Sequence, residues 1–221
     1  MTHATIFNIS KEHKYLENLN PAGFLSERDL VNYHNYINLA DKQRMLASRV
    51  LLDKLFQSIL SKKLSIIDLK KNGKGKPFID GLAGLSISHS GDFAVVSISE
   101  HIEVGIDIQK VGNFSEEDIH SILNQEEKLV YQSIVEEEKQ QWFYDLWSKK
   151  EAALKAIGEG LAIEMKELIF SNNMSQVKYG DRTWYFSDTP QINSYSLQLC
   201  TSVKNTKVDW YNWEQNTLVN L

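Results

Sequence analysis

Apolar residues recur along the chain with two different periods, and together they predict a mixed fold of helices and strands. Between residues 39 and 60, Leu46, Val50 and Leu51 follow the three- and four-residue spacing of one helix face. Runs rich in Ile, Val and Ser predict short strands near residues 85–88, 93–99 and 103–109. Further strands are predicted near residues 166–171, 175–179, 183–187 and 194–202.

Polar residues mark where the predicted helices begin and end. A Ser or Asn followed three residues later by an acid satisfies free amides at a helix start, and this pattern occurs at Ser26, Ser115 and Asn124. The acidic run at 136–139 is interpreted as an exposed segment that precedes a helix over 140–157. Gly158 suits the left-handed conformation that often ends a helix.

The order of elements, helices and then strands in each part of the chain, indicates an α+β fold built from two similar halves. We place the N-terminal half at residues 1–100 and the C-terminal half, with a candidate metal site, at residues 101–221. A chain of 221 residues is long enough for one large domain or two small ones. The amino-acid sequence shows no internal repeat, so the order of predicted elements permits two related halves without requiring them.

Charge and composition narrow the class of protein. A net charge of −5 and a pI of about 5.7 lack the basic surplus typical of nucleic-acid-binding proteins. No apolar run approaches the roughly 20 residues of a membrane span, and the N-terminus has no basic segment followed by a long apolar core. Cys200 is the single cysteine, which excludes an intramolecular disulfide. We therefore expect a cytoplasmic protein that binds neither nucleic acid nor membrane.

One predicted helix carries three chemically distinct side chains on a single face. Trp147, Glu151 and Lys155 are spaced four residues apart, so an aromatic ring, a carboxylate and an ammonium lie in line. The carboxylate can hold a divalent cation and the ammonium can hold a phosphate. The alternative interpretation is an exposed Glu–Lys pair beside a core tryptophan.

An acid stands in the middle of an apolar strand. Asp107 alternates with Val104, Ile106 and Ile108, and a carboxylate in such a place is costly unless it is paired or bound to a metal. Gln109 lies two residues further on, so its side chain faces the same side of the strand.

The segment Ser88-His89-Ser90-Gly91 between two predicted strands has several interpretations. Taken alone, it is typical of a turn rich in Ser and Gly. A Ser–His nucleophilic pair is disfavoured, because adjacent residues of a strand point to opposite faces. The chain also lacks the G-x-S-x-G turn of the α/β-hydrolases.

Four motifs stand in a fixed order and together resemble one family. They are Gly75-Lys76-Pro77, the segment Ser86 to Asp92, the segment Val104 to Gln109, and the helix that reads Trp147-Ser148-Lys149-Lys150-Glu151-Ala152. From about Asp41 to Leu161 the chain resembles the Sfp-type 4′-phosphopantetheinyl transferases, in the subgroup whose helix reads W-x-x-K-E-A. The resemblance implies a pseudo-twofold α+β fold. It also implies Mg²⁺-dependent transfer of 4′-phosphopantetheine from coenzyme A to a serine of an acyl or peptidyl carrier protein, with release of adenosine 3′,5′-bisphosphate.

The resemblance also implies which residues hold the metal and the coenzyme. Asp107 and Glu151 are expected to ligate Mg²⁺, and Gln109 stands where the family often has a third acid. An amide oxygen can coordinate a hard cation without bringing charge, and water can take its place, so both arrangements stay open for Gln109. For coenzyme A, the expected contacts are Arg44, Ser88 and His89 at the 3′-phosphate, Gly75, Lys76 and Pro77 at the adenine and phosphate end, and Lys155 at the leaving phosphate.

Further residues near these motifs have structural interpretations, and Glu127 has a catalytic one as well. The resemblance implies that Glu127 is a catalytic base, with Glu126 as the alternative if the register shifts, whereas the pattern Asn124 to Glu127 predicts a helix cap. Lys150 lies about 100° from Glu151 around the helix, which predicts a solvent-facing side chain. Arg49 has two interpretations, a second arginine near the 3′-phosphate or a surface charge. Trp147 is interpreted as a packing residue.

Two departures leave a second function open. Residues 30–38 contain no Lys or Arg, although many family members carry bases there that grip coenzyme A, and Lys42 is a candidate substitute. Together with Gln109, this departure favours a non-catalytic module that binds coenzyme A or a carrier protein. Asp107, Glu151 and Lys155 favour the enzyme. We expect a monomer, and the sequence does not separate a fatty-acid carrier from a polyketide or peptide carrier.

Overall fold

The computed structural model describes residues 1–60, 69–160, 163–214 and 216–221. The α-helices are α1 (Ile9–Glu17), α2 (Glu27–Asn35), α3 (Leu39–Ile59), α4 (Glu116–Ile122), α5 (Gln125–Ser133) and α6 (Glu136–Ile157). The first strands are β1 (Thr2–Asn8), β2 (Lys70–Lys71), β3 (Pro77–Phe78), β4 (Gly84–Ser90), β5 (Phe93–Ser99) and β6 (Val104–Lys110). The later strands are β7 (Ile169–Phe170), β8 (Gln176–Tyr179), β9 (Arg182–Ser187), β10 (Tyr195–Thr201), β11 (Val208–Glu214) and β12 (Thr217–Asn220).

Two five-stranded sheets, each covered by a long helix, confirm the predicted α+β class. The first sheet has the order β12-β11-β1-β5-β4, and the second has the order β6-β10-β9-β8-β7. Because β11 and β12 return to pair beside β1, the C-terminal strands belong to the first sheet. The predicted division at residue 100 therefore separates the two sheets only as far as β10. Among the described residues, no helix is both long enough and apolar enough to cross a bilayer.

Most predicted elements form, and two differ from the prediction. Helix α6 begins at Glu136, so the prediction of a separate acidic segment before the helix was wrong. Carboxylates in the first turn are favourable because they face the positive end of the helix dipole. The strand predicted over 166–171 is instead a 3-10 turn at Met165–Glu167 followed by the two-residue strand β7.

The two sheets meet through a row of serine hydroxyls at their facing edges. The side chains of Ser86, Ser88 and Ser90 on β4 alternate toward β6. They accept hydrogen bonds from the backbone amides of Ile106 at 3.0 Å, Ile108 at 3.4 Å and Lys110 at 3.0 Å. Serine therefore supplies acceptors at an edge where the strands form no ladder, and it fixes β6 against the first sheet.

Helix α6 lies unusually close to β6 because of one glycine. A Cβ at Gly105 would collide with the backbone of Ala152 and Ala156 in α6. The absence of a side chain at Gly105, opposite two alanines, lets the helix backbone approach the strand directly. This close packing brings the polar side chains of β6 and α6 together.

The serine row makes a testable prediction about stability. Replacing Ser86 with alanine removes the acceptor of the buried Ile106 amide, so we expect the free energy of unfolding in urea to fall by about 1–3 kcal/mol. Ser97 is a matched control, because its hydroxyl is equally buried and has no hydrogen-bond partner within the described residues. Ser97→Ala should leave the free energy unchanged or raise it. Equal losses in the two variants would contradict a role for Ser86 at the sheet junction.

Candidate active site

Asp107 is a buried carboxylate with three hydrogen-bond donors around it. Its Oδ1 accepts from the Ser88 hydroxyl at 2.7 Å and from the Lys155 ammonium at 2.6 Å. Its Oδ2 accepts from the Gln109 amide at 3.0 Å. Only 1% of the Asp107 side chain is exposed, and the pairing with Lys155 offsets the cost of burying it. The strand predicted around Asp107 is present, with Asp107 and Gln109 on the same side.

The face of α6 that carries Trp147, Glu151 and Lys155 lines a cleft of about 570 Å³. Burial raises the pKa of Glu151, and the negative charge of Asp107 raises this pKa further. Glu151 lies one helical turn before Lys155, whose ammonium contacts Asp107 at 2.6 Å, so both carboxylates belong to the same charged cluster. Trp147 stacks on Tyr144 with ring centroids 5.5 Å apart, which agrees with its interpretation as a packing residue.

The donor set around Asp107 fits a hard divalent cation. Asp107, Glu151 and Lys155 together carry two negative charges and one positive charge, so one negative charge is uncompensated. Asp107 Oδ2 accepts a single hydrogen bond and keeps a free lone pair. Within the described part of the chain, no cluster of three or more His, Cys, Asp or Glu residues is placed to bind a metal. Position 109, beside Asp107, carries an amide and not a third acid. Two carboxylates with water match the preference of Mg²⁺.

The opposite wall of the cleft is the turn that contains Gly75, Lys76 and Pro77. The Lys76 ammonium donates to the carbonyl oxygen of Ala156 at the end of α6, at 3.2 Å, and Lys74 pairs with Glu159. Burial lowers the pKa of Lys76 below its usual range. The turn is therefore fixed against the end of α6, and the cleft opens between the two halves of the molecule.

A separate group of basic side chains, the Arg44–His89 corner, lies where α3 meets the turn between β4 and β5. The Arg44 guanidinium donates to the carbonyl oxygen of Gly91 at 3.1 Å and to Asp41 at 2.5 Å. Partial desolvation of the imidazole lowers the pKa of His89 although the residue is in part exposed, and the positive charges of Arg44 and Lys155 lower this pKa further. Arg44 offers five N–H donors, so several stay available for an anion.

Ser88 does not belong to this corner. Its hydroxyl is buried against Asp107, Lys155 and the Ile108 amide, whereas His89 is exposed on the other face of β4. The contact of both Ser88 and His89 with the 3′-phosphate stays a prediction, and the Ser88 hydroxyl is already engaged by Asp107 and Lys155. Alternation along a strand separates the two side chains.

Glu127 and Lys150 form a buried ion pair beside the cleft. Lys150 is 0% exposed, so the prediction of a solvent-facing side chain was wrong. Its ammonium donates to Glu127 Oε2 at 2.6 Å and to the carbonyl oxygens of Ile122 at 2.7 Å and Met165 at 3.1 Å. Ile122 and Met165 both line the cleft. Lys150 thus joins two segments of the cleft wall that are far apart in sequence.

The helix cap predicted for Glu127 is present. Glu127 Oε2 accepts from the Asn124 amide at 2.8 Å, and Asn124 Oδ1 accepts from the Glu127 amide at 2.9 Å. Glu127 Oε1 is buried with no hydrogen-bond partner among the described residues. Glu126 is exposed and Glu127 is buried, so Glu127 is the inward-facing acid of the two.

Two further basic residues have contacts of their own. Arg49 is largely buried and pairs with Asp29 at 3.1 Å, which contradicts its interpretation as a surface charge. The pair joins α3 to α2. Lys42 lies over the ring of Tyr33, with its ammonium 5.8 Å from the ring centroid.

Comparison with known proteins identifies the family. A sequence profile of the 4′-phosphopantetheinyl transferase superfamily matches residues 103–200, and a profile described as 4′-phosphopantetheinyl transferase, N-terminal, matches residues 11–101. The two profiles adjoin and together cover most of the chain. The chain belongs to the 4′-phosphopantetheinyl transferase superfamily, as its motifs predict. The narrower W-x-x-K-E-A subgroup stays a prediction.

Similar proteins from bacteria and vertebrates carry related names. The chain is 32% identical to the 4′-phosphopantetheinyl transferase gsp of Aneurinibacillus migulanus over 64% of its own length and 59% of that protein. It is 30% identical to the L-aminoadipate-semialdehyde dehydrogenase-phosphopantetheinyl transferase of Xenopus laevis over 72% of its length and 62% of that protein. The chain is 27% identical to a putative 4′-phosphopantetheinyl transferase of Synechocystis over 76% of its own length and 73% of that protein. The matches to the first two proteins thus cover less than two thirds of those relatives.

Proposed function

We propose that the protein transfers the 4′-phosphopantetheine group of coenzyme A to a serine hydroxyl of an apo acyl or peptidyl carrier protein. The observation that carries this proposal is the meeting of Asp107, Glu151 and Lys155 at the edge of one cleft. Carboxylates that hold a cation, beside an ammonium and a glycine-containing turn, suit a substrate with a pyrophosphate. Family membership and the relatives' printed names support the same activity.

Three parts of coenzyme A have a matching group on the protein. The Arg44–His89 corner would hold the 3′-phosphate, because a guanidinium fork fits phosphate geometry. The turn at 75–77 would line the adenine and phosphate end, across the cleft from α6. Asp107 and Glu151, with Gln109 or water, would hold Mg²⁺, which neutralises pyrophosphate charge when it is bound.

The transfer is a displacement at phosphorus. The carrier serine oxygen forms a bond to the β-phosphorus, the bond from that phosphorus to the bridging oxygen breaks, and adenosine 3′,5′-bisphosphate leaves with the bridging oxygen. The serine proton passes to a base. The Lys155 ammonium contacts Asp107 at 2.6 Å, and Lys155 lines the cleft together with Glu151, where its charge can offset that of the departing phosphate. Positioning and charge neutralisation are the main contributions of the protein to such chemistry.

The second candidate function is a non-catalytic module that binds coenzyme A or a carrier protein. The amide at Gln109 and the absence of Lys and Arg from residues 30–38 favour it. The paired, buried Asp107 and Glu151 of the same charged cluster favour the enzyme, because a module that only binds needs no such pair at the cleft. We place the reaction in the cytoplasm. We also propose that the protein acts as a monomer, since the cleft is formed by the two halves of one chain.

The proposal predicts how Arg44 discriminates between ligands. Arg44→Ala removes charge-assisted hydrogen bonds to the 3′-phosphate, each of which contributes on the order of 1.5–3 kcal/mol. Coenzyme A binding should weaken by about 10- to 150-fold, whereas 3′-dephospho-coenzyme A should bind nearly as before. Calorimetric titration of both ligands measures the difference, and Arg28→Ala, at an exposed position of α2, is the control. Equal losses for both ligands would remove Arg44 from the phosphate site.

A further inference from the structure

The turn between β4 and β5 is held by a tyrosine from the other sheet. The hydroxyl oxygen of Tyr195, on β10, accepts a hydrogen bond from the Asp92 amide at 3.0 Å. The same hydroxyl donates to Asp92 Oδ2 at 3.3 Å. The ring of Tyr195 meets Phe93 edge-on, with centroids 4.8 Å apart. A side chain of the second sheet therefore fixes the turn on which the Arg44–His89 corner rests.

Asp92 is fixed from several directions. Its carbonyl oxygen accepts from the Ile9 amide at 2.7 Å, and its Oδ1 accepts from the Ser10 hydroxyl at 2.7 Å. Lys110 of β6 lies 3.8 Å from Oδ2. The hydrogen bond from Ser10 lowers the pKa of Asp92, so the carboxylate is charged at neutral pH. Contacts from α1, β6 and β10 thus converge on this one residue.

Gly91 connects the contacts around Asp92 to Arg44. Its φ of +52° lies in the left-handed region that favours glycine, and a Cβ there would collide with the Tyr195 hydroxyl. Its carbonyl oxygen accepts from Arg44 at 3.1 Å, so the position of this oxygen orients the guanidinium. Tyr195 therefore acts on the orientation of Arg44 through the backbone of two consecutive residues.

The strand that carries Tyr195 also supports the carboxylate strand. In the pairing of β10 with β6, Ser196 lies opposite Gln109 and Gln198 lies opposite Asp107. Tyr195 therefore links the turn beside Arg44 on the first sheet to the strand that pairs with Asp107 in the second. In the proposed function, coenzyme A would have its 3′-phosphate at Arg44 and its pyrophosphate near Asp107 and Glu151.

We propose that Tyr195 is a positioning residue that determines selectivity for ligands with a 3′-phosphate, acting through Asp92 and Gly91 on Arg44. This inference rests on the proposed function for the identity of the phosphate. Tyr195 is buried, and its hydroxyl is engaged by Asp92, so it acts on the ligand only through the turn. A tyrosine that merely filled the core would not distinguish one coenzyme from another.

Tyr195→Phe tests the inference, because it keeps the ring on Phe93 and removes only the hydroxyl. We expect coenzyme A to bind about three- to tenfold more weakly, and 3′-dephospho-coenzyme A to bind within about twofold of the parent, from the loss of one hydrogen bond. In transfer assays the KM for coenzyme A should rise, whereas kcat should stay unchanged. The matched control is Tyr211→Phe, which also removes a tyrosine hydroxyl that makes a hydrogen bond, here with His3 Nδ1 at 3.4 Å. This variant should keep the parent's preference for coenzyme A over the dephospho form.

The outcomes separate this inference from the proposed function. If the parent binds coenzyme A and prefers it to the dephospho form, but Tyr195→Phe keeps that preference, the positioning role is overturned and the proposed function stands. If the variant weakens both ligands equally, Tyr195 is only a packing residue. If the parent does not bind coenzyme A, both proposals fail.

Discussion

Replacing Asp107 with asparagine is expected to lower the rate of phosphopantetheine transfer by at least about 10²–10³-fold. The substitution keeps the size of the side chain and its acceptor for Ser88, but it removes the negative charge that pairs with Lys155 and would hold the cation. The loss should persist under saturating Mg²⁺, because the missing charge also leaves Lys155 without its partner. Initial rates with a fixed carrier protein, over a series of Mg²⁺ concentrations, measure the effect.

Two controls separate chemistry from folding in this experiment. Asp181→Asn makes the same change at an exposed position and should transfer at the parent rate. Urea unfolding of Asp107→Asn should show a folded protein, since the hydrogen bond from Ser88 can still form. A rate near that of the parent at high Mg²⁺ would show that Asp107 is not part of the metal site.

Replacing Lys150 with methionine is expected to lower the free energy of unfolding by about 3–5 kcal/mol. Removing one partner of a buried ion pair leaves the other charge unpaired, and here it also leaves the carbonyl oxygens of Ile122 and Met165 without their donor. Adding Glu127→Gln to this variant should recover part of the loss, because the unpaired charge then disappears. Urea denaturation of both single variants and the double variant gives the coupling energy.

The same variants decide the role of Glu127, for which a base and a cap are the two candidates. Its Oε2 already accepts from Lys150 and from the Asn124 amide, so the contacts favour a structural role. We expect Glu127→Gln to reduce turnover by less than about tenfold while stability falls. A turnover loss of about 10²–10⁴-fold at unchanged coenzyme A affinity would instead assign the catalytic base to Glu127.

The parts of the site that lie within one element could be predicted from the sequence. Four-residue spacing on α6 places Trp147, Glu151 and Lys155 on the cleft, and Gly158 ends the helix with a φ of +82°. Two-residue alternation on β6 places Asp107 and Gln109 on one side. These are local periodicities, and local geometry is enough to fix them.

Contacts between distant segments could not be predicted in this way. Strand β1 pairs with β11 across almost the whole chain, and no pattern within residues 2–8 names that partner. The helix wheel gives the direction of Lys150 but not the 3-10 turn at Met165 that covers it. The role of Tyr195 likewise depends on a turn more than 100 residues earlier. The alternation of Ser86, Ser88 and Ser90 predicts that the three side chains share one face of β4. It does not predict that β6 is the strand they contact.

The central claim is that the protein transfers 4′-phosphopantetheine, and the mass of a carrier protein tests it most directly. The parent protein is incubated with coenzyme A, Mg²⁺ and, in separate reactions, an apo acyl carrier protein and an apo peptidyl carrier domain. Intact-mass spectrometry should show the gain of one 4′-phosphopantetheine group on a carrier, dependent on its serine and absent with Asp107→Asn or a chelator. Tight binding of coenzyme A with no mass gain on either carrier would contradict the transferase and favour the non-catalytic module.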